Sequence, residues 1–334
     1  MSAPPPFRAD LSIPARLDTQ TVDCCVCGPV GHRAVATTYD YEYRTSRQSW
    51  TYVRCDGCGL VYLRERPATS ELARIYPPHY YSFDEAQRDQ PLVAALRGRL
   101  ESAKAAAFAA HVPKLDARVL DVGCGDGRFL SVLKRAGPPG WRLEGLDIDV
   151  GAVERARSRG LKMHHGRLED FEAPAGGYDL VVLMQVLEHV ADPRDTCRRI
   201  HRLLAPGGVF VVETPAVAGW DERLFRDGLW GGYHVPRHWN LFTPTTLGRL
   251  LNEEGFEVKE QRPLISTSFW INSLYNRALV HGASPRHLGF LHYQNPALLA
   301  LFLPLDRLAI ALGRRTSNQR VVARRASGSL GRAG

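Results

Sequence analysis

Between residues 117 and 215 the chain alternates two patterns. Near-continuous apolar runs at 117–123, 142–148, 161–166, 178–185 and 208–215 read as strands. Segments with apolar positions every three or four residues, at 126–137, 149–160 and 192–205, read as helices. Strands apolar on both faces, separated by amphipathic helices, predict an α/β fold built on a largely parallel, fully covered sheet. After an irregular stretch at 216–242, the pattern predicts a helix over 244–252 and a strand over 256–261. A late run, Arg320-Val321-Val322-Ala323-Arg324, could pair with that strand. Upstream, 67–112 reads as two helical pieces, one at Ser70 to Arg74 and one from Pro91 to Val112, where proline suits a first helical turn. The pattern divides the chain into a leader at 1–20, a cysteine-rich unit at 21–66, a helical linker at 67–112 and a core at 113–262. A helical insertion at 263–318 and a last strand with a basic tail at 319–334 complete it.

Composition narrows the classes. With 334 residues, 44% hydrophobic and 23% charged, the chain suits two or three globular domains. No apolar run is long enough for a spanning helix. The opening residues lack the apolar stretch of a secretory leader, so a cytoplasmic location is expected. The net charge of +8 suggests nucleic acid, an anionic membrane or a phosphorylated substrate. However, six arginines and no acid lie in the last 22 residues, which leaves the first 312 residues at +2. The charge therefore gives little support to a nucleic-acid partner.

One loop carries specific chemistry. Asp121-Val122-Gly123-Cys124-Gly125-Asp126-Gly127 follows a predicted strand and opens a predicted helix, where glycines let backbone approach a ligand. Asp147 ends the next strand, the place from which a carboxylate can accept both hydroxyls of a ribose. A dinucleotide would prefer GxGxxG, with its pyrophosphate at the helix N-terminus. The GxGxG found here, preceded by an acid, suits a cationic ligand such as S-adenosylmethionine.

These motifs, with LEDF, YDLVVLMQVLEHVADP and LLAPGGVFVVETP in order, make the chain resemble the class I S-adenosylmethionine-dependent methyltransferases over roughly 117–262. The resemblance implies a Rossmann-like seven-stranded sheet. It also implies cofactor contacts from Asp121, Gly123, Gly125, Asp147, Glu169 and Gln185.

Cys24-x-x-Cys27-Gly and Cys55-x-x-Cys58-Gly form two knuckles. Four thiolates complete a tetrahedron around Zn²⁺ with no open position, which predicts a structural zinc-ribbon unit. Together with CGLVYLRERPATSELARIYPPHYYSF, this N-terminal part is similar to the zinc-containing methyltransferases of sugar, polysaccharide and secondary-metabolite pathways. Zinc-containing ribosomal RNA methyltransferases are a more distant match.

Methyl transfer to a weak nucleophile needs a proton acceptor, usually His. Glu188-His189 follows the fourth strand of the core, and His234 and His238 lie in the irregular segment after the fifth. His79 lies in the linker. HVPRHWNLFT is similar to the loop that carries the His base in sugar C-methyltransferases, although Arg237 stands where that family commonly has Glu. The expected reaction is therefore O-methylation of a small-molecule acceptor, with His238 or His234 as base. Sugar C-methylation and rRNA methylation are the alternatives. The apolar window from Asn295 to Leu305 predicts a helix that caps the site, forms a homodimer interface, or joins the Arg tail in a peripheral membrane contact.

Overall fold

The computed structural model describes residues 13–326 except 15, 78–90 and 174–175. His79, Tyr80 and Tyr81, most of the leader and the tail after 326 lie outside the described residues. The N-terminal part holds β1 (Thr19–Thr21), β2 (His32–Thr38), β3 (Trp50–Cys55), β4 (Val61–Leu63) and β5 (Glu65–Pro67), followed by α1 (Leu72–Ile75) and α2 (Pro91–Ala110). The core runs β6 (Arg118–Val122), α3 (Arg128–Ala136), β7 (Arg142–Asp147), α4 (Val150–Ser158), β8 (Lys162–His165), β9 (Tyr178–Met184), α5 (Pro193–Leu203) and β10 (Leu204–Pro215). Then come α6 (Trp220–Phe225), β11 (Asn240–Leu241), α7 (Pro244–Glu253), β12 (Phe256–Pro263), α8 (Thr267–Val280), α9 (Pro296–Ala311) and β13 (Asn318–Arg325).

The central sheet has seven strands in the order β12-β13-β10-β9-β6-β7-β8. The run from β10 to β8 is parallel, and β13 pairs antiparallel with both β10 and β12. The parallel, covered part is what the alternating pattern predicts, and the seven-stranded Rossmann-like sheet is what the family resemblance implies. Its centre is apolar on both faces, because helices cover both: Leu180, Val181, Val182 and Leu183 are all fully buried. Local chemistry sets where the crossover helices begin. Asp149 accepts hydrogen bonds from the Gly151 and Ala152 amides at the start of α4. Asp192 does the same for Arg194 and Asp195, with Pro193 in the first turn of α5.

The cysteine-rich unit is built into this core. β2, β3 and β4 form an antiparallel sheet whose last strand is β11, supplied by the irregular segment after β10. Asn240 faces Tyr62 in the ladder, and the Leu63 amide donates to Trp239 O at 3.0 Å. On the opposite flank, Arg194 of α5 donates to Cys25 O (3.1 Å) and Val26 O (2.9 Å) in the first knuckle.

Three of the six C-terminal arginines lie in the last strand, as the run at 320–324 predicts for two of them. Arg320, Arg324 and Arg325 belong to β13. Arg320 is buried and donates to Glu213 Oε1 at 2.6 Å, while Arg324 donates to Gly207 O and His111 O. A strand buried in the sheet spends its arginines on internal acceptors, so half of the six are not available to an external surface.

Candidate functional site

The carboxyl ends of β6, β7 and β9 bring the sequence-selected residues to one edge of the sheet. Gly123 (φ +70°), Gly125 (φ +54°) and Gly127 (φ +72°) are all left-handed. At Gly123 the constraint is doubled, since a Cβ would come within 2.4 Å of Val186 Cγ2. The loop after β6 thus lies directly against the loop after β9. Asp147 ties the same turn down, accepting the Gly125 amide at 2.7 Å through one oxygen and the Asp149 amide at 2.9 Å through the other. Burial raises its pKa, against those amide hydrogen bonds.

Asp121 is buried, and neither carboxylate oxygen has a hydrogen-bond partner among the described residues. Burial, reinforced by neighbouring Asp147, pushes its pKa up to about 8. An orphaned acid beneath a left-handed glycine turn fits a cationic ligand that supplies the missing counter-charge. Gln185, at φ +54°, donates its amide to Glu213 O (2.8 Å) and its side-chain nitrogen to Asn318 Oδ1 (3.2 Å). Glu169 sits apart in the turn after β8, with its carboxylate 3.5 Å from Arg167 Nε.

The histidines converge beyond β9 and β10. The ring centroid of His238 lies 4.7 Å from that of His189 and 4.9 Å from that of His234. Beside them Glu188 is fully buried; its Oε2 accepts from the Thr214 hydroxyl at 3.0 Å, and its Oε1 has no hydrogen-bond partner among the described residues. Burial raises the Glu188 pKa to about 8. His238 Nδ1 is 2.8 Å from Gly232 O, and a carbonyl there requires that nitrogen to carry the proton. The Nε2 lone pair is left open, 4.0 Å from Glu188 Oε1. His189 is held similarly, with Nδ1 3.0 Å from both Arg237 O and the Tyr76 hydroxyl. Burial pushes His189 down to about 3 and, with neighbouring His189, moves His238 well below the ordinary imidazole value. His234 differs: Nδ1 meets Glu42 Oε2 at 2.6 Å and Nε2 accepts from Arg237 Nε at 3.1 Å, so both nitrogens are engaged.

The arrangement rests on Arg237, which is completely buried. It bonds Asp40 at 2.6 and 3.2 Å, Ile75 O at 3.1 Å, Val235 O at 2.8 Å and His234, satisfying all five guanidinium donors. Burial alone would raise Asp40, but Arg237 and Thr45 hold it below the usual carboxylate value. Sequence reasoning noted Arg237 only as a departure from a related loop, and it missed Asp40, Glu42 and Tyr52. The Tyr52 hydroxyl lies 2.7 Å from Tyr233 O and 2.6 Å from His238 O. These partners are 181 to 197 residues away from the segment they hold, and short-range patterns carry no signal of them.

His234, His238, Gln185 and Asn318 line a cleft of about 300 Å³, which Phe269 and Asn272 of α8 and Tyr293 close from the C-terminal insertion. Two groups of side chains have metal-ligand spacing. Cys24, Cys27, Cys55 and Cys58 place their sulfurs within 4.8 Å of one another, with Cys24 and Cys58 at 3.6 Å. A tetrahedral Zn²⁺ with bonds of about 2.3 Å needs sulfurs about 3.8 Å apart, so the donor set fits. Gly28 (φ +72°) and Gly59 (φ +81°) supply the knuckle turns. Glu188, His189 and His238 also have ligand atoms within 4.8 Å of one another.

The methyltransferase domain family matches residues 93–261, half of the chain. A Mycolicibacterium smegmatis protein named "Probable S-adenosylmethionine-dependent methyltransferase" is 33% identical over 144 residues, covering 42% of this chain and 52% of that one. A ubiquinone biosynthesis O-methyltransferase of Ruegeria pomeroyi is 30% identical over 177 residues, covering 48% and 69%. Geranyl diphosphate C-methyltransferase from Streptomyces coelicolor A3(2) shares the fold, with a TM-score of 0.50 at 18% identity over 73% of this chain and 84% of that one. The chain spans little more than half the length of the mycobacterial relatives it matches.

Proposed function

The chain belongs to the methyltransferase domain family, and from that premise we propose that it methylates a hydroxyl of a small-molecule acceptor. The acceptor class is a sugar, a polysaccharide precursor or a secondary metabolite, and the methyl donor is S-adenosylmethionine. The observation that carries this reading is the contact between two loops. One holds the orphaned Asp121 carboxylate, the other leads from Gln185 to Glu188, and Gly123 packs on Val186 between them.

S-adenosylmethionine supplies a methyl group activated by a cationic sulfur. In this reading Asp121 would complement its positive charge, Asp147 would accept the ribose hydroxyls, the Gly123 and Gly125 turn would leave room for it, and Glu169 and Gln185 would add further contacts. His238 takes the acceptor's proton on Nε2, the nitrogen its Gly232 contact leaves unprotonated. Glu188, whose Oε1 lies 4.0 Å from that nitrogen, stabilises the imidazolium in its ionised form, which its raised pKa of about 8 favours toward alkaline pH. His189 is a positioning residue, and His234, with both nitrogens engaged, holds the loop. Arg237 is committed to Asp40, which favours the hydroxyl acceptor over carbon methylation through the related loop's Glu. Zn²⁺ on Cys24, Cys27, Cys55 and Cys58 has a structural role.

His238→Ala is expected to lower turnover by about 10²–10⁴-fold while S-adenosylmethionine affinity, read by calorimetry, stays within a factor of two or so. Unchanged release of S-adenosylhomocysteine across a panel of sugar nucleotides and phenols would remove His238 as the base. A second reading has one observation in its favour: the open Nε2 atoms of His189 and His238 both lie 4.0 Å from the unpartnered Glu188 Oε1. A divalent cation held there would make turnover sensitive to chelators in a variant already lacking the cysteine-bound metal.

A further inference from the structure

Helix α9 has two faces of opposite character. Its inner face is fixed to α8: Trp270 stacks on Phe302 at 5.6 Å, and buried Asp306 accepts from the Ser266 amide (2.6 Å) and Trp270 Nε1 (3.1 Å). The outer face carries Leu301 (62% exposed), Leu305 (37%) and Leu308 (49%), continued by Leu312 (60%) just past its end. Their spacing of four, three and four residues makes one stripe along the helix. Phe290, also 60% exposed, stands in the turn before α9, where Asn295 Nδ2 donates to its carbonyl.

Such an apolar stripe needs a cover, and the surrounding charge says which kind. From 263 to 318 the chain has five arginines, at 277, 286, 307, 314 and 315, and one acid, Asp306. Asp306 is buried, whereas all five arginines are exposed. A second copy packed on the stripe would bury the leucines but leave Arg307, Arg314 and Arg315, which neighbour them in the chain, without acidic partners from this segment. An anionic lipid surface takes the leucines into its interfacial region and the arginines against its headgroups. No helix among the described residues is long and apolar enough to cross a membrane, which leaves lying in its surface.

We propose that the outer face of α9 docks the protein on an anionic lipid surface. α8, which packs against the inner face of α9, lends Phe269 and Asn272 to the cleft, so one helix separates the docked face from the candidate site. The docking stands independently of the methyl-transfer reading.

The test is co-sedimentation of the full chain with phosphatidylcholine vesicles, with and without phosphatidylglycerol. A truncation after 312 is unsuitable, because it deletes β13 from the central sheet. Binding is expected on the anionic vesicles only. The pair Leu301→Glu and Leu308→Glu should abolish it, and Arg314→Ser with Arg315→Ser should weaken it roughly thirtyfold. Unchanged S-adenosylmethionine affinity by calorimetry, or an unchanged circular dichroism melt, reports that these variants are folded. No binding by the parent protein, equal binding to neutral vesicles, or binding indifferent to the leucine pair would overturn the proposal. So would a solution dimer that the leucine pair dissolves, since the stripe would then be covered by a second copy.

Discussion

Asp121 and Arg237 show two ways of keeping a charge inside this protein. Arg237 and Asp40 answer each other fully. Breaking such a pair leaves an uncompensated buried charge, at a cost of about 3–5 kcal/mol, and here it would also release the loop that carries His238. Asp121 has no hydrogen-bond partner among the described residues, and burial, with Asp147 beside it, pushes its pKa up to about 8. The sign of the consequence is fixed. A carboxyl raised in the folded state adds stability below its unfolded pKa and loses it as pH rises through about 8. A bound cation favours the ionised form, so binding releases a proton and tightens with pH. Calorimetry should show S-adenosylmethionine affinity rising by up to about tenfold per unit between roughly pH 6 and 8. In Asp121→Asn the profile should flatten; a flat profile in the parent protein would contradict the assigned partner. At this scale spacing picked out residues that the fold brings together: the four cysteines, and Asp121 and Asp147 at one glycine turn. It was silent on Asp40, Glu42 and Tyr52, whose meaning depends on contacts across the chain.

At the scale of elements, the short strand β11 joins the cysteine-rich sheet to the histidine loop. Asn240 and Leu241 pair with β4, and the Trp239 and Asn240 amides both donate to Glu188 O. The four sulfurs fix the ends of the hairpin that presents β4, since Cys55 ends β3 and Cys58 lies three residues before Val61. If the four cysteines hold the proposed zinc, its loss should loosen the histidine loop as well as the knuckles. Cys55→Ser is expected to bind less than one equivalent of zinc by mass spectrometry, melt earlier, and lose turnover more than S-adenosylmethionine affinity. Full zinc retention, or a parallel loss of both functions, would argue against this coupling. Periodicity predicted the strands and helices of the core because both faces of a parallel sheet must be covered. It missed β11, as two residues are too few to show a period. Chain-local reading also placed 216–242 within the core, although its last residues complete the sheet of the cysteine-rich unit.

At the scale of the whole molecule, the charge and the apolar insertion take on different meanings from those their totals suggest. The net charge suggests an anionic partner and six of its arginines lie in the last 22 residues, but β13 uses Arg320, Arg324 and Arg325 internally. Of the other three, Arg314 and Arg315 are exposed just past Leu312 at the end of α9, and Arg332 lies outside the described residues. The insertion both closes the cleft, through α8 and Tyr293, and carries the one long apolar face among the described helices that lacks a partner. The seven-stranded sheet then sets the cofactor loop and the histidine loop edge to edge, an arrangement legible in motif order but not in its distances. On the proposed reading these two loops hold the two reactants of a methyl transfer. A crystal structure with S-adenosylhomocysteine is the decisive measurement. It should show the ribose hydroxyls on Asp147, the amino group near Asp121 and the sulfur facing the cleft toward His238. A ribose bound elsewhere, or a sulfur turned away from that cleft, would contradict it.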